Sequence, residues 1–158
     1  MHTCSFAPRV LKGANEIATL PFSQRGSTSI ENMTIDKVLL DQLTAQAKAN
    51  PRLRQNYDLR NSENDNSQRM LNAIEPGTIM PIHRHPNTST TVIIIRGKMR
   101  QNFYDYNRNL TESVTLDANG HTRAVQIEKG RWHNLESLES GTILFEAKDG
   151  AWDPYEIL

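Results

Sequence analysis

The sequence has only one cysteine, Cys4, among its 158 residues. A single thiol excludes a disulfide within the chain and is typical of a reducing compartment, so we expect a cytoplasmic location. Long apolar runs are also lacking, because the longest one surrounds residues 92–95, whereas a membrane helix needs about 20 apolar residues. We expect no secretory signal either, since the apolar pair at residues 10–11 is followed at once by Lys12 and Gly13.

Net charge is absent as well: 18 basic side chains balance 18 acidic ones. Without a global field, the chain has no general attraction for nucleic acid or an anionic membrane, and a small-molecule partner is expected. The sequence also contains neither a nucleophile elbow nor a glycine loop that could cradle phosphates. Hydrolase and nucleotide triphosphatase functions therefore have little support.

The length suits one ordinary domain with a short appendage. Residues 1–32 mix basic, serine and glycine residues without a sustained hydrophobic period, and we expect a flexible tail or extension there. An organelle-targeting or regulatory extension is the alternative for this segment. The folded domain is predicted to comprise residues 33–158.

The hydrophobic pattern predicts one helix followed by strands. Ile35, Leu39, Leu43 and Ala47 share one helical face, which predicts a helix at about residues 36–49 that ends before Pro51. A further strand is possible at residues 52–57. Strands are then predicted at residues 69–74, 78–82, 91–96, 98–106, 112–116, 124–127, 132–136 and 142–148. Short strands without interleaved helices predict an all-β antiparallel sandwich or jelly roll.

Three histidines are candidates for a metal site. His83 and His85 are two residues apart, so in an extended strand both side chains leave the same face, and His133 can approach from a neighbouring strand. Three neutral imidazoles can hold a divalent ion and leave positions open; zinc, iron, nickel and manganese are all compatible. A bare His-x-His pair is more often a surface feature, so the metal prediction depends on its context.

The spacing around the histidines resembles the first cupin motif, Gly-x5-His-x-His-x4-Glu-x6-Gly. Gly77, His83, His85 and Gly97 keep every interval, but Thr90 occupies the position of the usual ligating glutamate. The second cupin motif is matched less fully: Gly-x2-His is kept at Gly130 and His133, whereas other scaffold positions differ. This resemblance implies a cupin double-stranded β-helix, that is a jelly-roll barrel, with an N-terminal α-helix and with the metal in the barrel mouth.

A closer resemblance covers most of the chain after residue 33. Residues 50–56, 68–78, 83–86, 95–97 and 141–148 look like the WbuC-type cupin fold metalloproteins. Members of that family typically belong to bacterial polysaccharide biosynthesis loci, which implies a carbohydrate-type small molecule as the ligand. Cupins often pair through edge strands or exchanged terminal segments, so the resemblance also implies a homodimer.

Thr90 in place of the glutamate has two chemical consequences. Three neutral ligands leave the full double charge of the ion unneutralised, so its Lewis acidity should increase while its retention weakens. A threonine hydroxyl is a poor direct ligand, although it can hold a water molecule near the ion. The alternative is a site that no longer holds metal firmly and a pocket that binds an organic ligand through its polar lining.

Strand parity and the resemblance together suggest residues that line the pocket. The candidates are polar residues on otherwise apolar segments, with a tryptophan as a possible wall: Arg54, Asn56, Gln68, Arg69, Asn72, Glu146 and Trp132. An arginine at position 54 or 69 can form two parallel hydrogen bonds to a carboxylate or phosphate. Glu146 is the candidate catalytic base.

The sequence leaves the class of function open. As an enzyme, the protein would be a metal-dependent isomerase or epimerase, or an iron-dependent dioxygenase. As a noncatalytic cupin, it would be a ligand-binding protein or a dimeric scaffold with weakened metal binding. One fold hosts many reactions, so the fold does not choose between these alternatives.

Overall fold

The computed structural model describes residues 32–158, which form one helix and ten strands. The elements are α1 (Lys37–Ala49), β1 (Arg54–Asp58), β2 (Ser67–Ile74), β3 (His83–Arg84), β4 (Thr90–Arg96), β5 (Lys98–Tyr104), β6 (Leu110–Asp117), β7 (Ala124–Ile127), β8 (Trp132–Ser137), β9 (Thr142–Asp149) and β10 (Glu156–Ile157). No helix in this part of the chain is long and apolar enough to cross a membrane. Nearly all of the predicted tail at residues 1–32 lies outside the described residues.

The strands form two five-stranded antiparallel sheets. The first sheet has the order β1-β2-β9-β4-β7, and the second has the order β10-β3-β8-β5-β6. Neighbours such as β2 and β9, or β3 and β8, are far apart in the sequence, so the chain passes repeatedly from one sheet to the other. This is the arrangement of a jelly roll, and the all-β prediction is confirmed.

Apolar side chains from both sheets form the core between them. Buried and less buried positions alternate along β4 and β5, which is the period of a strand with one face on a core. Ile95 belongs to the longest apolar run of the sequence but lies on the other face of β4 and is 38% exposed. The buried members of this core are Ile74, Val92, Ile94, Met99, Phe103, Leu116, Ile127 and Leu144.

Helix α1 covers the outer face of the first sheet. Its start is fixed by Asp36, whose carboxylate accepts a hydrogen bond from the Leu39 amide at 3.0 Å. Leu43 and Ala47, two members of the predicted apolar stripe, are buried in a second cluster. Its other buried members are Tyr57, Leu71, Ala73 and Ile143. The first sheet is therefore packed on both faces, and the predicted helix is confirmed to within one residue.

The strand predicted at residues 78–82 is wrong. This segment carries no strand assignment, and the next residues form the two-residue strand β3 instead. Pro81 has no N–H group to contribute to a ladder. Thr78 folds back into a turn, because its hydroxyl donates to the Leu53 carbonyl at 2.7 Å and its amide donates to the Glu75 carbonyl at 3.1 Å.

The end of β5 and the presence of β10 also differ from the sequence prediction. β5 ends at Tyr104 rather than at residue 106, because Asp105 begins a turn in which its carboxylate accepts hydrogen bonds from the amides of Asn107 and Asn109. Strand β10 was not predicted. It has only two residues and pairs with β3, so its sequence shows no alternation that could reveal it.

Gly97 turns the chain between β4 and β5, and we expect its replacement to be costly. Its φ is +78°, and a Cβ built there would lie 2.6 Å from the Thr142 hydroxyl oxygen and 2.9 Å from the Thr142 Cα. Gly130 provides the matched control, since its φ is +75° but nothing lies within 4 Å of an added Cβ. Gly130→Ala should lower the free energy of unfolding by about 1–2 kcal/mol through left-handed strain alone.

Gly97→Ala should lower the free energy of unfolding by about 1–3 kcal/mol more than Gly130→Ala does, because the new methyl group must displace the Thr142 backbone. Urea denaturation of the two variants measures the difference. Equal losses for both variants would contradict the close approach at Gly97.

Candidate metal centre and its cavity

The three predicted histidines lie together in the second sheet. His83 on β3 is the direct cross-strand partner of His133 on β8, and His85 follows β3 by one residue. The ring centroid of His83 lies 4.4 Å from that of His133 and 5.3 Å from that of His85. One ring nitrogen from each histidine lies within 4.8 Å of the others, so small side-chain rotations can bring all three onto one ion.

Backbone carbonyls orient two of these rings. Nδ1 of His83 lies 3.0 Å from the Pro81 carbonyl oxygen, and Nδ1 of His133 lies 2.7 Å from the Arg131 carbonyl oxygen. A carbonyl only accepts, so each Nδ1 carries the proton and donates it. Nε2 is then left with a free lone pair, which is the form that binds a metal. The donor set therefore fits a divalent cation.

The surroundings keep the three imidazoles neutral. Burial lowers the pKa of His133 to about 4, and the nearby His83 ring adds to the effect. Burial also lowers the pKa of His85 to about 4, with a further contribution from the Lys148 charge. The pKa of His83 is lowered chiefly by burial. Neutral rings avoid the proton competition that would oppose metal binding near neutral pH.

A cavity of about 300 Å³ opens beside His83 and His85. Its walls come from the inner face of the first sheet, from the segment that precedes β3, and from the C-terminal segment that crosses the mouth. The lining residues are Arg52, Arg54, Asn56, Gln68, Met70, Asn72, Ile74, Met80, Pro81, His83, His85, Leu135, Glu146, Lys148, Trp152, Asp153 and Tyr155.

Most residues predicted for the pocket line this cavity. Arg54 and Asn56 contribute from β1, Gln68 and Asn72 from β2, and Glu146 from β9. They share one face because each pair on a strand is separated by an even number of residues. The structure thus brings these five side chains to the same space as two of the histidines.

Arg69 and Trp132 do not line the cavity. Each is adjacent in sequence to an inward-facing residue, so its side chain leaves the opposite face of its strand. Arg69 forms an ion pair with Asp65 at 2.9 Å, and Trp132 lies under the Arg84 guanidinium, which is 4.5 Å from the ring centroid. The expected pocket roles of these two residues find no support in their positions.

Glu146 is held by polar partners rather than by apolar surroundings. Asn72 Nδ2 donates to its carboxylate at 2.9 Å, and Lys148 forms an ion pair with the other carboxylate oxygen. The Glu146 charge acts on all three imidazoles, where it opposes the lowering of each pKa. Glu146 is therefore a fixed anion close to the proposed metal centre.

Thr90 occupies the inner face of the first sheet. Lys148 on β9 and Ile127 on β7 are its cross-strand partners, and Thr90 itself is only 3% exposed. Its hydroxyl oxygen has no hydrogen-bond partner among the described residues. A buried hydroxyl without a partner is uncommon and indicates a place for water or a ligand atom. The cluster of histidines itself contains no carboxylate within residues 32–158.

Sequence reasoning missed several residues of the site, among them a lysine and two aromatic residues. Lys148 is two residues beyond Glu146 on the same strand, so parity alone would have placed it on the same face. Tyr155 packs its ring 5.0 Å from that of His83, and Trp152 lines the cavity mouth. These aromatic residues lie in a C-terminal segment with little regular structure, and the sequence pattern there gives no signal for their position.

Three solved structures illustrate the proteins that share this architecture. The capsular polysaccharide assembling protein CapF from Staphylococcus aureus aligns with TM-score 0.56 at 19% identity, over 65% of this chain and 29% of its own. An oxalate oxidase in complex with the substrate analogue glycolate aligns with TM-score 0.54 at 12% identity, over 70% of this chain and 57% of its own. Bacillus subtilis oxalate decarboxylase, which has Mn(II) centres, aligns with TM-score 0.50 at 19% identity, over 60% of this chain and 24% of its own.

These neighbours have the cupin fold, and this chain shares that fold, a two-sheet jelly roll with an N-terminal helix. The chain spans less than two thirds of the length of each of them. A family model described as a domain of unknown function, DUF6016, matches residues 35–116, and the chain belongs to this family. No curated protein sequence shows significant similarity to the chain.

The lowered pKa values predict that the metal-free protein is destabilised by acid. His85 and His133 have pKa values of about 4 in the folded protein, against about 6.5 in an unfolded chain. Between these values the unfolded state binds more protons, so the free energy of unfolding should fall as the pH drops from about 6.5 to about 4.

Urea denaturation of chelator-treated protein across this pH range measures the effect. His133→Asn removes one of the titrating groups and should show a shallower dependence on pH. A free energy of unfolding that stays constant over the whole window would contradict the assigned neutral state of the rings.

Proposed function

We propose that this protein is a WbuC-type metal-binding cupin that holds one divalent ion through His83, His85 and His133. We further propose that it binds or acts on a carbohydrate-type small molecule in bacterial polysaccharide biosynthesis. One observation carries the proposal: three neutral imidazoles converge beside a cavity, and two of them have their metal-binding nitrogens oriented by backbone carbonyls.

The cavity supports a polar small molecule as the ligand. Amide side chains at Asn56, Gln68 and Asn72 can donate to and accept from hydroxyl groups, and Trp152 provides an aromatic surface at the mouth. A volume of about 300 Å³ is at the lower end of the range for ligand pockets and suits a molecule of monosaccharide size. The description of CapF as a capsular polysaccharide assembling protein is consistent with this class of ligand.

In an enzymatic version of the proposal, the bound ion supplies Lewis acidity at a substrate oxygen. Glu146 offers a carboxylate within the cavity that can accept a proton from the substrate, and Asn72 together with Lys148 holds it in place. Tyr155 packs its ring edge-on against that of His83, with 5.0 Å between the centroids, and so borders the centre on that side. These roles are those of a metal-dependent isomerase or epimerase.

A cytoplasmic homodimer remains part of the proposal.

A second candidate is a noncatalytic cupin with weakened metal binding. Thr90 favours it, because a buried threonine stands at the position where the resembled motif has a ligating glutamate. In that version the cavity holds a ligand without turnover, or the barrel is a dimeric scaffold. An iron-dependent dioxygenase uses the same three ligands, and oxygen consumption by the iron-loaded protein would distinguish it from the other two.

We expect protein purified without chelators to contain about one divalent ion per chain, since one cluster of three histidines is present in residues 32–158. His83→Ala and His133→Ala should each lower this content severalfold while the fold is retained, because two imidazoles bind a divalent ion much more weakly than three. Inductively coupled plasma mass spectrometry measures the metal, and circular dichroism checks the fold.

His121→Ala is the matched control, because His121 is exposed and lies outside the cluster. Its metal content should equal that of the wild type. Unchanged metal content in folded His83→Ala and His133→Ala proteins would contradict the ligand assignment.

Thr90→Glu tests whether the absence of the usual glutamate weakens the retention of the metal ion. A carboxylate at this buried position would face the cavity side of the sheet, where Lys148 is its cross-strand partner, and would cancel part of the charge of the ion. We expect the resistance of the metal to a competing chelator to rise at least on the order of tenfold. Thr90→Gln has the same shape without the charge and should not produce this gain. Equal chelator sensitivity of the two variants would contradict a role of position 90 in metal retention.

A further inference from the structure

The cavity contains more positive than negative charge. Arg52, Arg54 and Lys148 line it, against the carboxylates of Glu146 and Asp153. The formal net charge of the whole chain is zero, so this excess is a local property. A divalent ion on three neutral histidines would add to it. A cavity with a positive potential attracts anionic ligands.

The two carboxylates of the cavity already have partners. Glu146 is paired with Lys148 and also accepts from Asn72, and Asp153 accepts from the Asn87 amide at 2.8 Å. The charge of Lys148 is therefore compensated within the wall itself. Neither of the two arginines forms an ion pair within residues 32–158; Arg52 is exposed and Arg54 is half-buried.

Arg54 is the only half-buried arginine in residues 32–158 without a carboxylate partner. Each of the others forms an ion pair within this part of the chain: Arg60 with Asp58, Arg69 with Asp65, Arg84 with Glu156, Arg96 with Asp41 and Arg100 with Glu136. Arg54 instead contacts the sulfur of Met80, which is a weak acceptor. Removing a guanidinium from water without a charged partner is unfavourable, so a bound anion would satisfy it.

Arg54 also lies close enough to the histidines for one ligand to reach both. Both residues line the same cavity, Arg54 from the first sheet and His83 from the second. A molecule bound between them would have one end at the guanidinium and the other at the proposed metal centre.

The cavity chemistry favours a carboxylate over a phosphate. Phosphate sites usually combine several backbone N–H groups from a glycine-rich turn or from a helix N-terminus. The lining contains no glycine, and it is built from side chains of strands and of the segments that flank them. A single guanidinium offers two parallel donors, which match the two oxygens of a carboxylate.

We propose that the cavity binds a small organic acid, such as an acidic sugar, whose carboxylate is held by the guanidinium of Arg54 while its hydroxyl-bearing part faces the histidines. The orientation toward the histidines rests on the proposed function, whereas the carboxylate site stands on the unpaired arginine. Arg54 is thereby a specificity-determining residue that selects acids over neutral molecules of the same size.

The test uses two probes of equal size, L-lactate and L-lactamide, which differ in the charge of the carboxyl group. Titrations of the full-length protein, followed by the ¹⁵N side-chain resonances of its arginines, should show saturable shifts at the Arg54 Nε resonance with lactate. The dissociation constant should be on the order of millimolar for so small a ligand. Lactamide should bind at least tenfold more weakly.

Three variants complete the experiment. Arg54→Met should lower lactate affinity at least tenfold. Arg54→Lys keeps the charge but loses the two parallel donors of the guanidinium, and it should lower lactate affinity severalfold. Isothermal titration calorimetry measures both affinities. Arg100→Met is the matched control, because Arg100 is a half-buried arginine outside the cavity, and it should bind lactate like the wild type. Arg54→Lys keeps the test decisive if Arg54→Met fails to fold.

Equal affinity for lactate and lactamide, or wild-type lactate affinity in every Arg54 variant that folds, would overturn the proposal. Tighter binding of inorganic phosphate than of lactate would overturn the choice of a carboxylate. All titrations are repeated on chelator-treated protein, so that binding of lactate to a metal ion is not mistaken for binding to Arg54. Metal content is measured on the same samples, and a failure of the metal assignment is therefore distinguishable from a failure of the carboxylate site.

Discussion

The site depends on one backbone pairing, that of His83 with His133 between β3 and β8. β3 has only two residues, and it is held on one side by β8 and on the other by β10. The Gly130 amide also donates to the His85 carbonyl at 2.7 Å, which fixes the chain where it leaves β3. Main-chain hydrogen bonds therefore set the positions of the imidazoles before any ion is considered, as expected of a preorganised site.

The first sheet changes character along its strands. Toward one end, its inner face is apolar, with Ile74, Ile94 and Leu144 in the core between the sheets. At the other end, Gln68, Lys148 and Thr90 lie side by side as cross-strand neighbours on β2, β9 and β4. Helix α1 covers the outer face of this sheet with apolar contacts. One sheet thus supports both the core and the cavity.

Much of the fold and site follows from periodicity in the sequence. Period-two alternation predicted most strands, and the even spacing of His83 and His85 predicted two imidazoles on one side. The same parity rule, applied strictly, separates Gln68 and Asn72, which line the cavity, from Arg69, which does not. The failures lie where local pattern is weak.

Those failures share a physical cause, namely that tertiary contacts rather than local propensity decide the conformation. Residues 78–82 are apolar enough to resemble a strand, but Pro81 cannot extend a ladder. Tyr155 reaches the histidines only because β10 pairs with β3, a contact between segments about seventy residues apart. No window of sequence contains both partners of such a contact.

The pairing of β3 with β8 has a consequence for the order of events while the protein is synthesised and folds. His83 and His133 are separated by fifty residues, and the Arg84–Glu156 ion pair beside them joins residues 72 positions apart. Closing such long loops is slow, and it is rewarded only when most of the barrel has already formed. A compact ligand motif can capture an ion on the nascent chain, whereas these three ligands converge only after β8 has been synthesised and has paired with β3. Metal binding at these histidines would therefore follow the pairing of the strands instead of guiding it.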